Sequence, residues 1–320
     1  MNSLGKLALY LVALAAVFGL AFIAGKSLVP EETVATWTRE ANESSGQHAE
    51  MGEGETHGEH VATRKSDRQL AGLSLEKDGY RLSTVSAPEQ PDVRGEMSFR
   101  IDTPEGRPLT EYTRLHERDL HLVVVRQDGD QYVHAHPTLN SKTGVWTIPW
   151  EWNEAGTYRI FVDFRPDSPE AKDNLTLARN FSVSGPYRPS ARLVSRTDTV
   201  DGFDVELMGS LEAGQTRTLT ADVKQAGSPH IELEPYLGST GHLVVLREGD
   251  LAYLHAHPAG EPSSGDENHG ETHEHADSQS AGNQVSFEVM APTPGRYLLY
   301  LDFKVNGVVR TAQFVMEATR

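Results

Sequence analysis

The 320-residue sequence contains no cysteine. Disulfides, thiolate metal centres and cysteine nucleophiles are therefore excluded together, and any metal site must use nitrogen and oxygen ligands. Positive charge is scarce as well: 29 Lys and Arg face 46 Asp and Glu, a formal charge of −17. A surface of that sign repels polyanions, which argues against nucleic acid and for cations as partners. Signatures of catalysis are also missing. No P-loop, Gly-x-Ser-x-Gly elbow or dinucleotide fingerprint occurs. The stretch from His116 to His121 imitates a zincin helix but sets its histidines at i and i+5, which do not share a helix face. No enzyme, and no catalytic or cofactor-binding residue, is expected.

Long apolar runs are absent with one exception, Leu7 to Ala24, flanked by Lys6 and Lys26. It is about as long as a bilayer crossing requires. It also exceeds the usual signal-peptide core, and Ile23-Ala24-Gly25-Lys26 is a poor cleavage site. Residues 1–30 are expected to form an N-terminal transmembrane anchor, with a single pass through the cell membrane and the bulk of the chain extracytoplasmic. Residues 31–68 follow as an acidic, His-rich tether with too little apolar content to offset the entropy of folding.

What is present is a phrase used twice. His121 to Pro137 and His242 to Pro258 match without a gap, so three histidines recur at the same spacing: His121, His134, His136 and His242, His255, His257. Further on, Tyr158 to Phe164 answers Tyr297 to Phe303, after an insertion in the second unit that carries His269, His273 and His275. Each unit is about one hundred residues, the size of a small β-sandwich. In the first, short alternating runs fall at 79–85, 96–101, 120–126, 132–136, 145–150, 157–164 and 177–183, separated by Gly, Pro and Asp turns. The pattern predicts an all-β chain: an immunoglobulin-like sandwich over 69–186, a second over 187–320, and a His-rich loop at 260–282.

Asp128-Gly129 and Gly249-Asp250 lie at the middle of each phrase and suit two-residue hairpin turns. Folding there sets His121 opposite His136 and His242 opposite His257, with His134 and His255 on the same faces. Each hairpin would gather three imidazoles, with Asp163 or Asp302 as a fourth ligand or as an orienting partner. Imidazole with carboxylate and no sulfur suits a divalent metal, Cu(II) ahead of Zn(II) on affinity ordering. The other reading makes the histidines structural, in an immunoglobulin-like module that binds an envelope protein. His116 and His230 are expected on the surface, and Arg126 and Arg247 as solvated edge charges.

The segment Tyr236-Leu-Gly-Ser-Thr-Gly-His-Leu-Val-Val-Leu-Arg-Glu-Gly-Asp-Leu-Ala-Tyr-Leu-His-Ala-His-Pro resembles a set of membrane-anchored or secreted bacterial proteins, mainly actinobacterial, that typically read His-Val-His-Pro at its end. The resemblance spans most of residues 79–317 and implies no particular activity. In general shape the units also resemble the immunoglobulin-like copper-handling periplasmic domains of the CopC and YtkA type, which would imply metal handling.

Overall fold

The computed structural model describes residues 70–168, 173–228, 230–259 and 282–320. The expected anchor, tether and His-rich loop fall outside these residues, apart from the loop's last position, Gly282. Among the described residues the chain is all β, and no helix is long and apolar enough to cross a membrane.

Two sandwiches follow one another. In the first, one sheet has the order β1 (Glu76–Lys77), β2 (Tyr80–Leu82), β3 (Gly95–Asp102), β8 (Val145–Trp150), β7 (Thr138–Asn140). Its partner has the order β10 (Leu175–Val183), β9 (Gly156–Pro166), β5 (Leu120–Arg126), β6 (Val133–Ala135), with β4 (Tyr112–Thr113) on β9. Read as letters, β2-β3-β8-β7 against β10-β9-β5-β6 is A-B-E-D against G-F-C-C′, the immunoglobulin arrangement. The second domain repeats it. There β11 (Thr197–Val200), β12 (Phe203–Met208), β14 (Thr216–Gln225), β18 (Gln284–Met290) and β17 (His257–Pro258) form one sheet. The other is β13 (Leu211–Glu212), β20 (Val308–Thr319), β19 (Gly295–Val305), β15 (Gly241–Arg247), β16 (Tyr253–His255).

The two domains meet through their G-F-C-C′ sheets, and this explains why β5 and β15 do not alternate in polarity. Leu122 and Val124 fill the first domain's own core, while Val123 and Val125 point the other way into a cluster shared with Val244, Leu246 and Leu298 of the second domain. In β15, Leu243 and Val245 face inward and Val244 and Leu246 face the partner sheet. A strand buried on both faces reads as a continuous apolar run. The contact is close to two-fold: Tyr132 stacks on Tyr300 with ring centres 4.0 Å apart, and Tyr253 meets Phe161 in the mirrored position at 5.5 Å.

The first described residues stitch the two domains together. Ala71 accepts a hydrogen bond from the Tyr253 amide (2.9 Å), while the Gly72 amide donates to Thr176 (3.2 Å) and the Ala178 amide to Ser74 (2.8 Å). Gly72 has φ +68°, and a Cβ there would lie 2.7 Å from the Phe161 ring and 2.9 Å from Tyr253 Cβ, so no side chain fits.

Candidate metal centre at the domain interface

The predicted hairpin register is the observed one. Val123 lies opposite His134 and Leu122 opposite Ala135, which carries His121 toward His136 one position beyond the ladder. In the second domain Val244 lies opposite His255 and Leu246 opposite Tyr253. His121 and His242 stand on the outward faces of β5 and β15, the faces that meet. The three histidines of the first hairpin come together on this face, and the matching group of the second hairpin includes His255, whose side chain lies outside the described residues.

In this cluster His121 Nδ1 lies 3.1 Å from His134 Nε2 and 3.3 Å from His136 Nε2. The candidate ligand atoms of all three lie within 4.8 Å of one another. The outer nitrogens are engaged. His121 Nε2 donates to the Leu115 carbonyl at 3.1 Å, and His134 Nδ1 donates to Asp302 Oδ2 of the other domain at 2.7 Å. Asp302, only 2% exposed, also accepts from the Thr311 hydroxyl at 2.5 Å. These partners fix the protons on the outer nitrogens, so two neutral imidazoles would aim bare lone pairs at each other across 3.1 Å. Such a pair would be relieved by a proton or a cation between them. Burial first, then repulsion from His134, pushes the His121 pKa down to about 4. Burial with His134 and His121 pushes His136 to about 3. A proton on His121 or His136 is thus disfavoured near neutrality.

The 3.1 and 3.3 Å spacings about His121 Nδ1 are of the size that a shared cation would need. Four ligands at about 2.0–2.1 Å in a tetrahedron stand about 3.3 Å apart. Asp302 accepting from His134 is the carboxylate–histidine pairing that would orient a metal ligand.

The other candidates are placed differently. Asp163 is the cross-strand neighbour of His121 and accepts from the Thr176 hydroxyl at 2.8 Å; it stands outside the converging group. His242 packs against the trio, with ring centres 5.5 Å from His121 and 5.4 Å from His134. His257 pairs with Glu288 in the opposite sheet, and the His255 side chain lies outside the described residues.

His116 is exposed, as expected, and its ring sits 5.0 Å from that of His242 and 6.0 Å from that of His121. Its place became visible only once the domains were packed. Arg126 is no solvated edge charge: it is 1% exposed and held by Asp128, Asp130 and Glu154. The flanking Asp128 and Asp130 were the available sequence signal.

The depressed His121 and His136 pKa values contribute to the acid response of the metal-free protein. The unfolded chain binds these protons near the ordinary histidine pKa of about 6.5, the folded chain only near 4 and 3. Stability is full above about pH 6.5 and falls as the pH drops through that window. Urea midpoints measured in chelator at pH 7.5 and pH 5 should show a lower value at pH 5, and equal midpoints would contradict the buried neutral assignment.

Fold and site together define a two-domain, all-β protein of immunoglobulin-like topology with a histidine cluster at its domain interface. The chain belongs to the family described as Domain of unknown function (DUF8832), whose model matches residues 75–179 and 198–320, one segment in each sandwich. No curated protein matches the sequence. Among solved structures, domains 4–9 of the surface-layer protein SbsC overlay at a TM-score of 0.21 and 10% identity, covering 77% of this chain and 31% of that one. A marsupial T cell receptor gives 0.24 and 8%, covering 74% and 62%. The D0-D1 domain of Intimin gives 0.21 and 10%, covering 75% and 97%. The chain thus spans about a third of the surface-layer fragment and under two thirds of the receptor. Overlays this low carry no argument, and the immunoglobulin-like assignment rests on strand order.

Proposed function

We propose that this is a membrane-tethered, extracytoplasmic metal-binding protein that captures, buffers or delivers a divalent ion through His121, His134 and His136. The observation that carries the reading is the pair of inward imidazole nitrogens at 3.1 Å whose protons are fixed on the far side by Leu115 and Asp302. The apolar run Leu7–Ala24 supports the tether, and the His-rich tracts at 31–68 and 260–282 would collect ions loosely for the better site. The resemblance to copper-handling sandwiches points the same way. Affinity ordering favours Cu(II). The nitrogen spacing stands nearer the tetrahedral edge that Zn(II) takes than the cis edge of about 2.8 Å in a square plane. Binding rather than turnover is favoured because Asp163 and Asp302 are both engaged in hydrogen bonds.

Isothermal titration of the full-length chain with Zn(II) and with Cu(II) tests the proposal. Tight, saturable binding is expected that is lost when His121, His134 and His136 are changed to Ala together, leaving only the loose binding of the His-rich tracts. Tight binding that survives this triple change would place the site elsewhere. A second reading, an envelope-interaction module with structural histidines, draws on the His134–Asp302 bond between domains. It predicts a melting temperature indifferent to metal.

A further inference from the structure

His116 lies at the first central position of a tight turn in which Leu115 and Arg118 exchange backbone hydrogen bonds of 2.8 and 2.9 Å. Both central residues, His116 and Glu117, have left-handed φ values of 46° and 64°. The second domain builds the same turn at the matching place, Tyr236 to Ser239, with Leu237 and Gly238 at the centre. Gly accepts this conformation readily; Glu117 does so at a conformational cost. Where the second domain sets a buried Leu237, the first sets an exposed histidine. The same turn offers the Leu115 carbonyl that fixes the His121 proton.

The His116 ring touches one imidazole of the other domain, His242, at 5.0 Å between centres. His242 in turn lies beside His121 and His134, yet it makes ring contacts and no hydrogen bond among the described residues. It is also outside the group whose ligand atoms converge. An imidazole is therefore exposed at the turn, a second is half-buried behind it, and the converging trio comes next, with ring centres 5.0–5.5 Å from one to the next.

We propose that His116 and His242 form an entry relay by which a divalent transition ion passes from solvent to the trio, an inference that rests on the trio being a metal site. Each step exchanges one neutral ligand for another. An aquated ion loses a water to the His116 nitrogen, His242 displaces a further water, and the three trio nitrogens then displace His116, one remaining water and finally His242 in turn. No electron or proton transfer is required. Because His242 belongs to the second domain, loading requires the two domains to be packed as they are.

The test uses Zn(II) alone, added to the metal-free full-length chain in a stopped-flow competition with a chromogenic chelator, together with an equilibrium titration. His116→Leu takes the residue found at the matching turn position, where Leu237 holds φ 57°. Its on-rate is expected to fall on the order of tenfold, with the off-rate falling alongside, so that Kd moves far less than either rate. His242→Gln is expected to slow loading similarly. Unchanged on-rates in both variants, with Zn(II) still bound, would overturn the relay and leave the metal site standing. A weaker Kd at unchanged on-rate for His116→Leu would make His116 a ligand and also overturn it. If the unaltered chain takes up no Zn(II), the site itself fails and the relay with it.

Discussion

Replacing Asp302 with Ala is expected to lower the affinity of the histidine trio for Zn(II) or Cu(II) about 10–100-fold, the usual cost of losing the partner that orients a metal-bound imidazole. Asp302 touches none of the inward nitrogens. It acts from the other domain by accepting the His134 Nδ1 proton at 2.7 Å, and the Thr311 hydroxyl fixes its second oxygen at 2.5 Å. Without it, His134 can place its proton on Nε2, the nitrogen that must be bare to bind an ion. Asp302→Asn offers one oxygen as acceptor but no charge and should fall between the two. The expected order in chelator competition is therefore unaltered chain, then Asn, then Ala. The same Ala change removes a buried hydrogen bond between domains and should lower metal-free stability by about 1–3 kcal/mol. Equal metal affinity for Ala and the unaltered chain would refute the orienting role, whatever the loss of stability.

That Asp302 serves the histidine of another domain marks where the sequence stops being legible. The strands were readable because turn residues punctuate them: β5 and β8 fall on the predicted runs, and β3, β9 and β10 differ by a residue or two at one or both ends. The short strands β1, β4 and β7, of two or three residues, carry too little pattern to be found. Hairpin register was readable because Asp128-Gly129 and Gly249-Asp250 fix the centre of each fold. The facing of one domain on the other was not. Leu122 and Val123 are equally apolar because both are buried, one in its own sandwich and one against the neighbour. No periodicity separates two buried faces, so the histidines could be grouped within a hairpin but not across the interface. His116 has no counterpart in the repeat, and its difference from Leu237 is what singles it out once both turns are compared.

Replacing Arg126 with Met is expected to cost about 3 kcal/mol of stability, at the low end for removing one partner from a buried ionic cluster. The guanidinium is 1% exposed, and every edge of it is used. Nε donates to Asp128 at 2.9 Å, one terminal nitrogen to Glu154 and the Ala155 carbonyl, the other to Asp130 at 3.5 Å and the Arg188 carbonyl at 3.4 Å. Burial alone would raise the Asp128 carboxyl pKa; Arg126 and the amides of Ser190 and Asp130 together hold it below the ordinary value. The clamp thus ties the β5 turn to the linker between domains, since Ser190 donates to Asp128 at 2.8 Å and Arg192 to Asp130 at 3.2 Å. Met fills similar space but leaves Asp128 without its cation. Glu154, 49% exposed, can turn toward water, which keeps the cost at the lower end. Arg247 is the internal control: its side chain is 20% exposed and pairs with the single carboxylate of Asp250, itself 40% exposed. Arg247→Met should therefore cost about 1 kcal/mol or less. Urea denaturation of both variants at pH 7.5 separates them, and equal losses would show that burial of Arg126 adds nothing to an ordinary turn ion pair.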